Sequence, residues 1–255
     1  MNPFRNLFAA LSFYSRIPVP ANWIGKERAK YMLAFLPLIG LLIGGCAYLF
    51  FLLCENFALS VPCMVLGYSA LPLLITGGFH LDGFLDVEDA VRSYKSREEK
   101  LKILKDAHIG AFAVIAFVTY ALLWGFALFF LLERSSREEL VILCLLFFIS
   151  RAACGISSLV LQCAKQDGLL KEETKDCKTG MLIALSLQLF AGLAFAAIID
   201  WRSATWIIVM LGLFFLYYAF FCRKHFGGIT GDCAGFFVTV AELVMLFGLC
   251  AAVLF

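Results

Sequence analysis

The stretch YMLAFLPLIGLLIGGCAYLFFLL, residues 31–53, decides the fold class of this chain. It is 23 residues long and carries no charge, and an α-helix needs about 20 such residues to cross the hydrocarbon layer of a bilayer. Unpaired backbone groups are too costly in lipid, so a spanning segment forms either a helix or part of a closed barrel. A barrel strand would alternate apolar and polar residues, and this stretch does not. It therefore predicts a transmembrane helix.

Six further stretches have the length and apolar character of a membrane span. With the first, the predicted spans are residues 31–53, 57–76, 109–132, 140–164, 181–199, 204–222 and 235–255. The composition agrees, because 62% of the residues are apolar and the mean hydropathy is +0.91, whereas soluble proteins contain about 45–50% apolar residues. Soluble enzymes, disordered tails and secreted disulfide scaffolds are excluded. We expect an all-α, polytopic bundle of about seven transmembrane helices that forms one integral membrane catalytic domain over residues 1–255.

The distribution of Lys and Arg predicts the orientation of these spans. Residues 1–30 hold five of them, residues 77–108 six, residues 165–180 four and residues 223–234 two. The alternate segments hold none, two, one and none, which gives 17 against 3. Because cytoplasmic loops carry the excess of basic residues, we expect a cytoplasmic N-terminus and an external C-terminus.

The N-terminal region is expected to form an amphipathic helix on the inner membrane surface. Its first residues fall on a single helical stripe made of Phe4, Leu7, Phe8, Leu11 and Ser15. Pro18 and Pro20 would stop this helix.

The ten cysteines form no CxxC pair and mostly lie in apolar runs, so we interpret them as packing residues.

The segment GGFHLDGFLDVEDA, residues 77–90, is the first candidate for chemistry. Asp82, Asp86 and Asp89 are spaced i, i+4 and i+7, so on a helix their carboxylates share one face, where like charges repel. A divalent cation such as Mg²⁺ would relieve this repulsion, since Mg²⁺ takes carboxylate oxygens, water and substrate phosphates. Gly77 and Gly78 would expose backbone beside them. The alternative is a solvated acidic face.

A basic segment follows the acidic one. Ser96 and Glu99 form an S-x-x-E capping box, which predicts the start of a short helix. Basic side chains beside an acidic metal cluster suit a polyphosphate substrate. We select Arg97 and Lys105 as the basic residues that contact substrate.

A second polar segment, GGITGDCAG at residues 227–235, leads into the last span. Its glycines, among them Gly228 and Gly231, allow backbone N–H groups to approach a phosphate or a metal-bound water. Asp232 is either the group that accepts or orients the proton of an attacking hydroxyl or a ligand of a second metal; Asp89 is the rival base. On a helix the following polar residues share one stripe: Asp232, Gly235, Thr239 and Glu242.

Two charged residues lie inside predicted spans. Arg151 and Glu242 are each costly in lipid, and such residues usually face a bundle interior and pair. We predict that they pair with each other, with either a structural role or a role in substrate binding.

The three histidines, His80, His108 and His225, lie at the inner edge of these loops and are secondary candidates for contacts with substrate.

Taken in order, four motifs resemble those of a known family. They are SRIPVP (15–20), GGFHLDGFLDVEDA (77–90), SREEKLKILKDAHIGAFAV (96–114) and GGITGDCAGFFVTVAE (227–242). They are similar to motifs of the cobalamin synthase, or adenosylcobinamide-GDP ribazoletransferase, family, and the similarity extends through nearly the whole chain. Arg151 and KQDGL (165–169) resemble a weaker family segment. The chain departs from the family pattern at Ala90, where glycine is expected, and at Lys165, where arginine is expected.

The resemblance implies an activity. A ribose hydroxyl of α-ribazole, or of its 5′-phosphate, attacks the cobinamide-bearing phosphorus of adenosylcobinamide-GDP, and GMP is the leaving group. The reaction is expected to require Mg²⁺. It also implies a multi-pass enzyme of a prokaryotic cytoplasmic membrane whose site faces the cytoplasm. His80, Gly77 and Gly78 would then contact substrate, no nucleic acid partner is expected, and a homo-oligomer is compatible with the sequence.

Two other classes share some of these features. A cation-coupled transporter would also contain buried charges and glycine-broken spans, but it would show paired half-repeats, which are absent from the sequence. A CDP-alcohol phosphotransferase also uses spaced aspartates at the inner face, but its D-G-x-x-A-R motif would need Ala and Arg where Leu85 and Asp86 stand.

Overall fold

The computed structural model describes residues 3–24, 30–164 and 178–254. The KQDGL segment and Lys165 lie outside these ranges. The described helices are α1 Pro3–Tyr14, α2 Ala21–Ile24, α3 Leu36–Asn56, α4 Val61–Thr76, α5 Phe79–Arg92, α6 Arg97–Ile103, α7 Ala111–Arg134, α8 Arg137–Val160, α9 Lys178–Ile199, α10 Trp201–Phe226 and α11 Gly231–Leu254. A 3₁₀ turn, Met32–Phe35, leads into α3.

The predicted helical membrane bundle is confirmed. Six described helices are long and apolar enough to cross a membrane, and a seventh span results if the bent pair α4 and α5 is counted as one. Helices α8 and α11 bury most of their surface, whereas α7, α9 and α10 leave most of theirs facing outward. Large apolar side chains cover these outward faces, including Phe126, Phe190 and Leu216. Lipid is the solvent that such a surface requires.

The second predicted span differs from the others. Helix α4 has 16 residues, which at about 1.5 Å per residue is shorter than the roughly 30 Å of a hydrocarbon core. It ends because Gly77 and Gly78 adopt φ values of 68° and 80°, which favour glycine. The chain then turns by 95° into α5. The acidic motif therefore does not lie in an open loop but on a helix that packs into the bundle.

Two of the basic connecting segments, residues 77–108 and 223–234, meet at one end of the bundle. Arg97 donates to the backbone oxygen of Arg223 at 3.3 Å, and Lys100 lies 3.0 Å from His225. At the opposite end, Arg137 and Glu55 form an ion pair of 3.0 Å. These two segments are thus together, as the predicted topology requires of them.

The N-terminal helix forms as predicted and ends at Tyr14, before the two prolines. Its buried residues are Asn6, Ala9, Ala10 and Tyr14. The predicted apolar stripe is turned partly outward, and Phe4 is 64% exposed. The inward face thus carries Asn6, two alanines and one aromatic ring, and of the predicted stripe Leu11 packs against the core and Ser15 is buried. Of the nine cysteines in the described ranges, six are buried, as a packing role requires, two are half-buried and Cys63 is exposed.

Candidate active site

The site is built where α5 crosses the start of α11. A Cβ placed on Gly83 would lie 2.7 Å from the backbone oxygen of Asp232, and one placed on Gly235 would lie 2.7 Å from the backbone oxygen of His80. Real Cβ atoms do not approach backbone this closely, so the crossing requires glycine on both helices. Thr239 secures it by donating to the backbone oxygen of His80 at 3.3 Å. The two motifs, about 150 residues apart in sequence, therefore form one structural unit.

This crossing gathers the predicted carboxylates. Asp82 is exposed, while Asp86, Asp89 and Asp232 are half-buried. Burial raises the pKa of Asp86 to about 7, and the negative charges of Asp82, Asp232 and Asp89 add to the rise. The mutual repulsion expected from the i, i+4, i+7 spacing is thus present, and Asp232 of the last span contributes to it.

A cavity of about 220 Å³ opens beside the crossing. Asp82, Gly83, Gly231 and Asp232 form its polar side. Its other walls come from four further elements and from more residues of α5 and α11, with the residues Phe13, Tyr14, Leu33, Leu36, Phe79, His80, Cys154, Ser158, Ala234 and Gly235. One carboxylate from each motif therefore faces a common space large enough for part of a substrate.

The carboxylates at the crossing suit a hard cation that keeps some positions for water and substrate. They suit less well a cation that protein ligands enclose completely. Within residues 3–24, 30–164 and 178–254, no three His, Cys, Asp or Glu side chains converge into a ready-made metal site. Mg²⁺ is usually held by one or two carboxylates, with water and substrate phosphates completing its octahedron. Asp82 and Asp86 are one helical turn apart and supply two such carboxylates. Magnesium binding remains a prediction.

The remaining acidic residues of α5 are placed differently. Asp89 packs directly against Gly110 and lines neither this cavity nor the second one described below. Glu88 is paired with Arg92 at 2.6 Å. Of the two candidate bases, Asp232 is therefore the one that faces the cavity.

The candidate glycines divide into two groups. The N–H of Gly228 donates to the backbone oxygen of Cys222 at 3.2 Å, so it is already used, and the Gly228 Cα packs on the backbone of residues 162–164. Gly231 lines the cavity with open space around it. Gly78 is likewise open, whereas Gly77 packs against the side chain of Arg16. The N–H of Gly78 donates to the Thr76 hydroxyl at 3.3 Å, so Gly231 is the candidate glycine that lines the cavity and has open space around it.

The structure places the two basic candidates, Arg97 and Lys105, differently relative to the site. Helix α6 begins with the predicted capping box, in which Ser96 and Glu99 bond reciprocally. Arg97 reaches the end of α10 and lies over Gly227, 3.0 Å from a Cβ placed there, which puts it beside the second glycine segment. Lys105 is exposed and lines neither cavity. Arg97 remains a candidate for substrate contact, and Lys105 has no structural link to the site.

A second cavity of about 140 Å³ lies deeper, between α4, α5, α7, α8 and α11. Arg151 and Glu242 line it and form the predicted ion pair, with a distance of 2.6 Å and side chains only 2% and 7% exposed. Ser150 donates to the same Glu242 oxygen at 3.0 Å. His80 lines both cavities, so the polar stripe from Asp232 to Glu242 runs from one cavity to the other. His108 is exposed and paired with Asp106 at 2.7 Å.

Sequence reasoning missed the apolar side of the first cavity. Phe13 and Tyr14 of α1 line it together with Phe79 of α5. The only available signal was their position, because Phe13 and Tyr14 directly precede the SRIPVP motif and Phe79 lies within the acidic motif. Nothing in the spacing of these residues indicates that α1 folds back onto α5.

Comparison with known proteins finds relatives over nearly the whole chain. The chain matches the cobalamin-5-phosphate synthase family over residues 6–250. A protein of Lachnoclostridium phytofermentans named adenosylcobinamide-GDP ribazoletransferase is 33% identical over 251 residues, which cover 96% of this chain and 92% of that protein. A protein of the same name from Clostridium botulinum is 33% identical, with 98% of each chain covered, and one from Fusobacterium nucleatum is 30% identical, with 93% and 94% covered. No solved structure matches this chain.

Proposed function

The chain belongs to the cobalamin-5-phosphate synthase family, and from that premise we propose that it is an adenosylcobinamide-GDP ribazoletransferase that completes the nucleotide loop of cobalamin. The family match favours this activity over a CDP-alcohol phosphotransferase or a transporter. The observation that carries the proposal is the α5–α11 crossing. It brings an acidic helix and a glycine-flanked aspartate to one cavity at the basic end of the bundle, as a metal-assisted transfer of a phosphoryl group requires.

The reaction exchanges one P–O bond for another. A ribose hydroxyl oxygen of ribazole, or of its 5′-phosphate, bonds to the cobinamide-bearing phosphorus of adenosylcobinamide-GDP. The bond from that phosphorus to the bridging oxygen breaks, and GMP leaves with the bond electrons. The hydroxyl proton must be accepted by a base, and the product is adenosylcobalamin or its 5′-phosphate.

Residues that line the cavity, Asp82 and Asp232, and residues near it, Asp86 and Arg97, can be given roles in this exchange. Asp82 and Asp86 would hold Mg²⁺, which supplies charge neutralisation for the transferring phosphoryl group. Asp232 orients the attacking hydroxyl and accepts its proton at a carboxylate oxygen. Arg97, beside the glycine segment, pairs with a phosphate oxygen of the leaving GMP.

We place the enzyme in the cytoplasmic membrane of a prokaryote with the cavity facing the cytoplasm. The support is the collection of Lys and Arg at the end of the bundle where the cavity opens, since cytoplasmic segments carry the basic excess. A nucleotide-linked donor made in the cytoplasm would then meet the site without crossing the bilayer.

The direct test is to incubate the purified protein with adenosylcobinamide-GDP, α-ribazole and Mg²⁺ and to measure GMP and adenosylcobalamin. We expect both products in equal amounts and neither when the divalent cation is chelated. Release of GMP without adenosylcobalamin would indicate a hydrolase and contradict the proposal.

A further inference from the structure

The first cavity has two chemically different halves. Asp82 and Asp232 form the acidic part of its lining, and aromatic and aliphatic residues of α1, the 3₁₀ turn, α3 and α5 form an apolar half. These apolar residues are Phe13, Tyr14, Leu33, Leu36 and Phe79. The apolar half has no part in the phosphoryl chemistry described above.

The three aromatic rings of this half form a compact group. The Phe13 ring lies 4.9 Å from Tyr14 and 5.4 Å from Phe79, with interplanar angles of 88° and 68°. These are edge-to-face contacts, which favour a fixed arrangement of the rings. Phe13 and Phe79 are nonetheless 43% and 42% exposed, so ring surface remains available to a flat ligand in the cavity.

Two polar side chains next to this wall are already used, while the buried Nδ1 of His80, which also lines the cavity, has no hydrogen-bond partner among the described residues. Ser158 donates its hydroxyl to the backbone oxygen of Cys154 at 2.9 Å, and the Cys154 thiol donates to the backbone oxygen of Ala234 at 3.4 Å. Neither hydroxyl nor thiol is therefore left to donate to a ligand. The apolar half itself therefore offers a ligand mainly shape and apolar contact.

These features indicate which part of the two substrates the apolar half of the cavity binds. The corrin macrocycle is too large for a cavity of about 220 Å³. The guanine of the donor is separated from the reacting phosphorus by a second phosphate and a complete ribose, and its edge needs several hydrogen-bond partners. Ribazole is a nucleoside, so its aromatic base is joined to the same ribose that carries the attacking hydroxyl. The base must therefore lie within one sugar of the carboxylates.

We propose that the aromatic base of ribazole binds against Phe13, Tyr14 and Phe79, and that these residues determine which base the enzyme accepts. This inference rests on the proposed function and extends it to the acceptor subsite. It also gives α1 a role, because the helix brings Phe13 and Tyr14 to the cavity.

The test is steady-state kinetics on the purified protein with each substrate varied in turn. Phe13→Leu and Phe79→Leu remove the rings and keep apolar volume, so each should raise the KM for α-ribazole by about 5- to 30-fold while the KM for adenosylcobinamide-GDP changes less than about twofold. Phe13→Tyr and Phe79→Tyr keep a ring and should retain a KM near that of the unsubstituted protein. Phe190→Leu, on the outward face of α9 and 72% exposed, is the matched control and should change neither value.

Preference between bases provides a second readout. In a competition between α-ribazole and the corresponding nucleoside with a purine base, Phe13→Leu should narrow the preference for α-ribazole. An unchanged KM for α-ribazole in both leucine variants would overturn the inference, and so would a rise only in the KM for adenosylcobinamide-GDP, which would indicate guanine. These outcomes differ from failure of the proposed function, in which the unsubstituted protein forms no GMP and adenosylcobalamin from these substrates.

Discussion

At the scale of single residues, the environment of Asp86 favours its protonated form, whereas its proposed role as a metal ligand requires the ionised form. Burial and three neighbouring carboxylates raise its pKa to about 7, yet a carboxylate must be ionised to bind a metal. Asp86 therefore holds its proton to a higher pH than an ordinary aspartate does. Proton and cation therefore compete for the same group.

The first prediction follows from this competition. The Mg²⁺ concentration for half-maximal activity should rise as the pH falls from 8 to 6, because Mg²⁺ must then displace a proton from Asp86. Titration of activity with MgCl₂ at several pH values measures it. Asp86→Asn should lose most of the pH dependence, and a Mg²⁺ requirement that is the same at pH 6 and pH 8 in the unsubstituted protein would refute this role for Asp86.

At the scale of elements, the contact between α5 and α11 decides whether the two motifs share a cavity. Gly83→Ala and Gly235→Ala should each force the helices apart, because the added methyl group would meet backbone at 2.7 Å. We expect activity to fall by about 100-fold or more, since a displacement near 1 Å can cost that much. Gly45→Ala and Gly212→Ala are helical controls with open space at the Cβ position and should remain active. Full activity of Gly83→Ala and Gly235→Ala would contradict the crossing.

The ion pair between α8 and α11 leads to a prediction about stability. Arg151→Met or Glu242→Met alone leaves a buried charge without its partner, so the free energy of unfolding should fall by about 3–5 kcal/mol. The double variant removes both charges and should recover most of that loss. Thermal unfolding in detergent, followed by circular dichroism, measures the effect. If the double variant is as unstable as the two single variants combined, the pair is not what couples these helices.

Many of the helices and one of their contacts could be predicted from the sequence. The contacts that could not be predicted depend on residues far apart in the chain. A charge in lipid needs a partner, which identified Arg151 and Glu242 as a pair. The capping box identified the start of α6. The packing of α5 into the bundle was not predictable from its five charged residues, because it depends on Gly83 meeting Asp232 of a helix about 150 residues away. The same holds for Phe13 and Tyr14, whose place in the cavity depends on how α1 folds back.

At the scale of the whole molecule, the bundle has a basic end and an end closed by the Arg137–Glu55 pair. We expect single cysteines introduced at Lys102 and Ser136, both exposed, to show opposite accessibility to a membrane-impermeant maleimide added to intact cells. A background without native cysteines is the control for labelling. Equal labelling of both positions from outside would contradict the seven-span topology.

The central claim is that α5 provides the metal ligands and α11 the group that handles the attacking hydroxyl. The measurement that tests it most directly is the release of GMP as a function of Mg²⁺ concentration for the unsubstituted protein, Asp86→Asn and Asp232→Asn. Asp86→Asn should need a higher Mg²⁺ concentration for half activity, whereas Asp232→Asn should lower turnover at every concentration without moving the midpoint. If Asp232→Asn shifts the midpoint as strongly as Asp86→Asn does, Asp232 is itself a metal ligand, and the division of roles between the two helices is wrong.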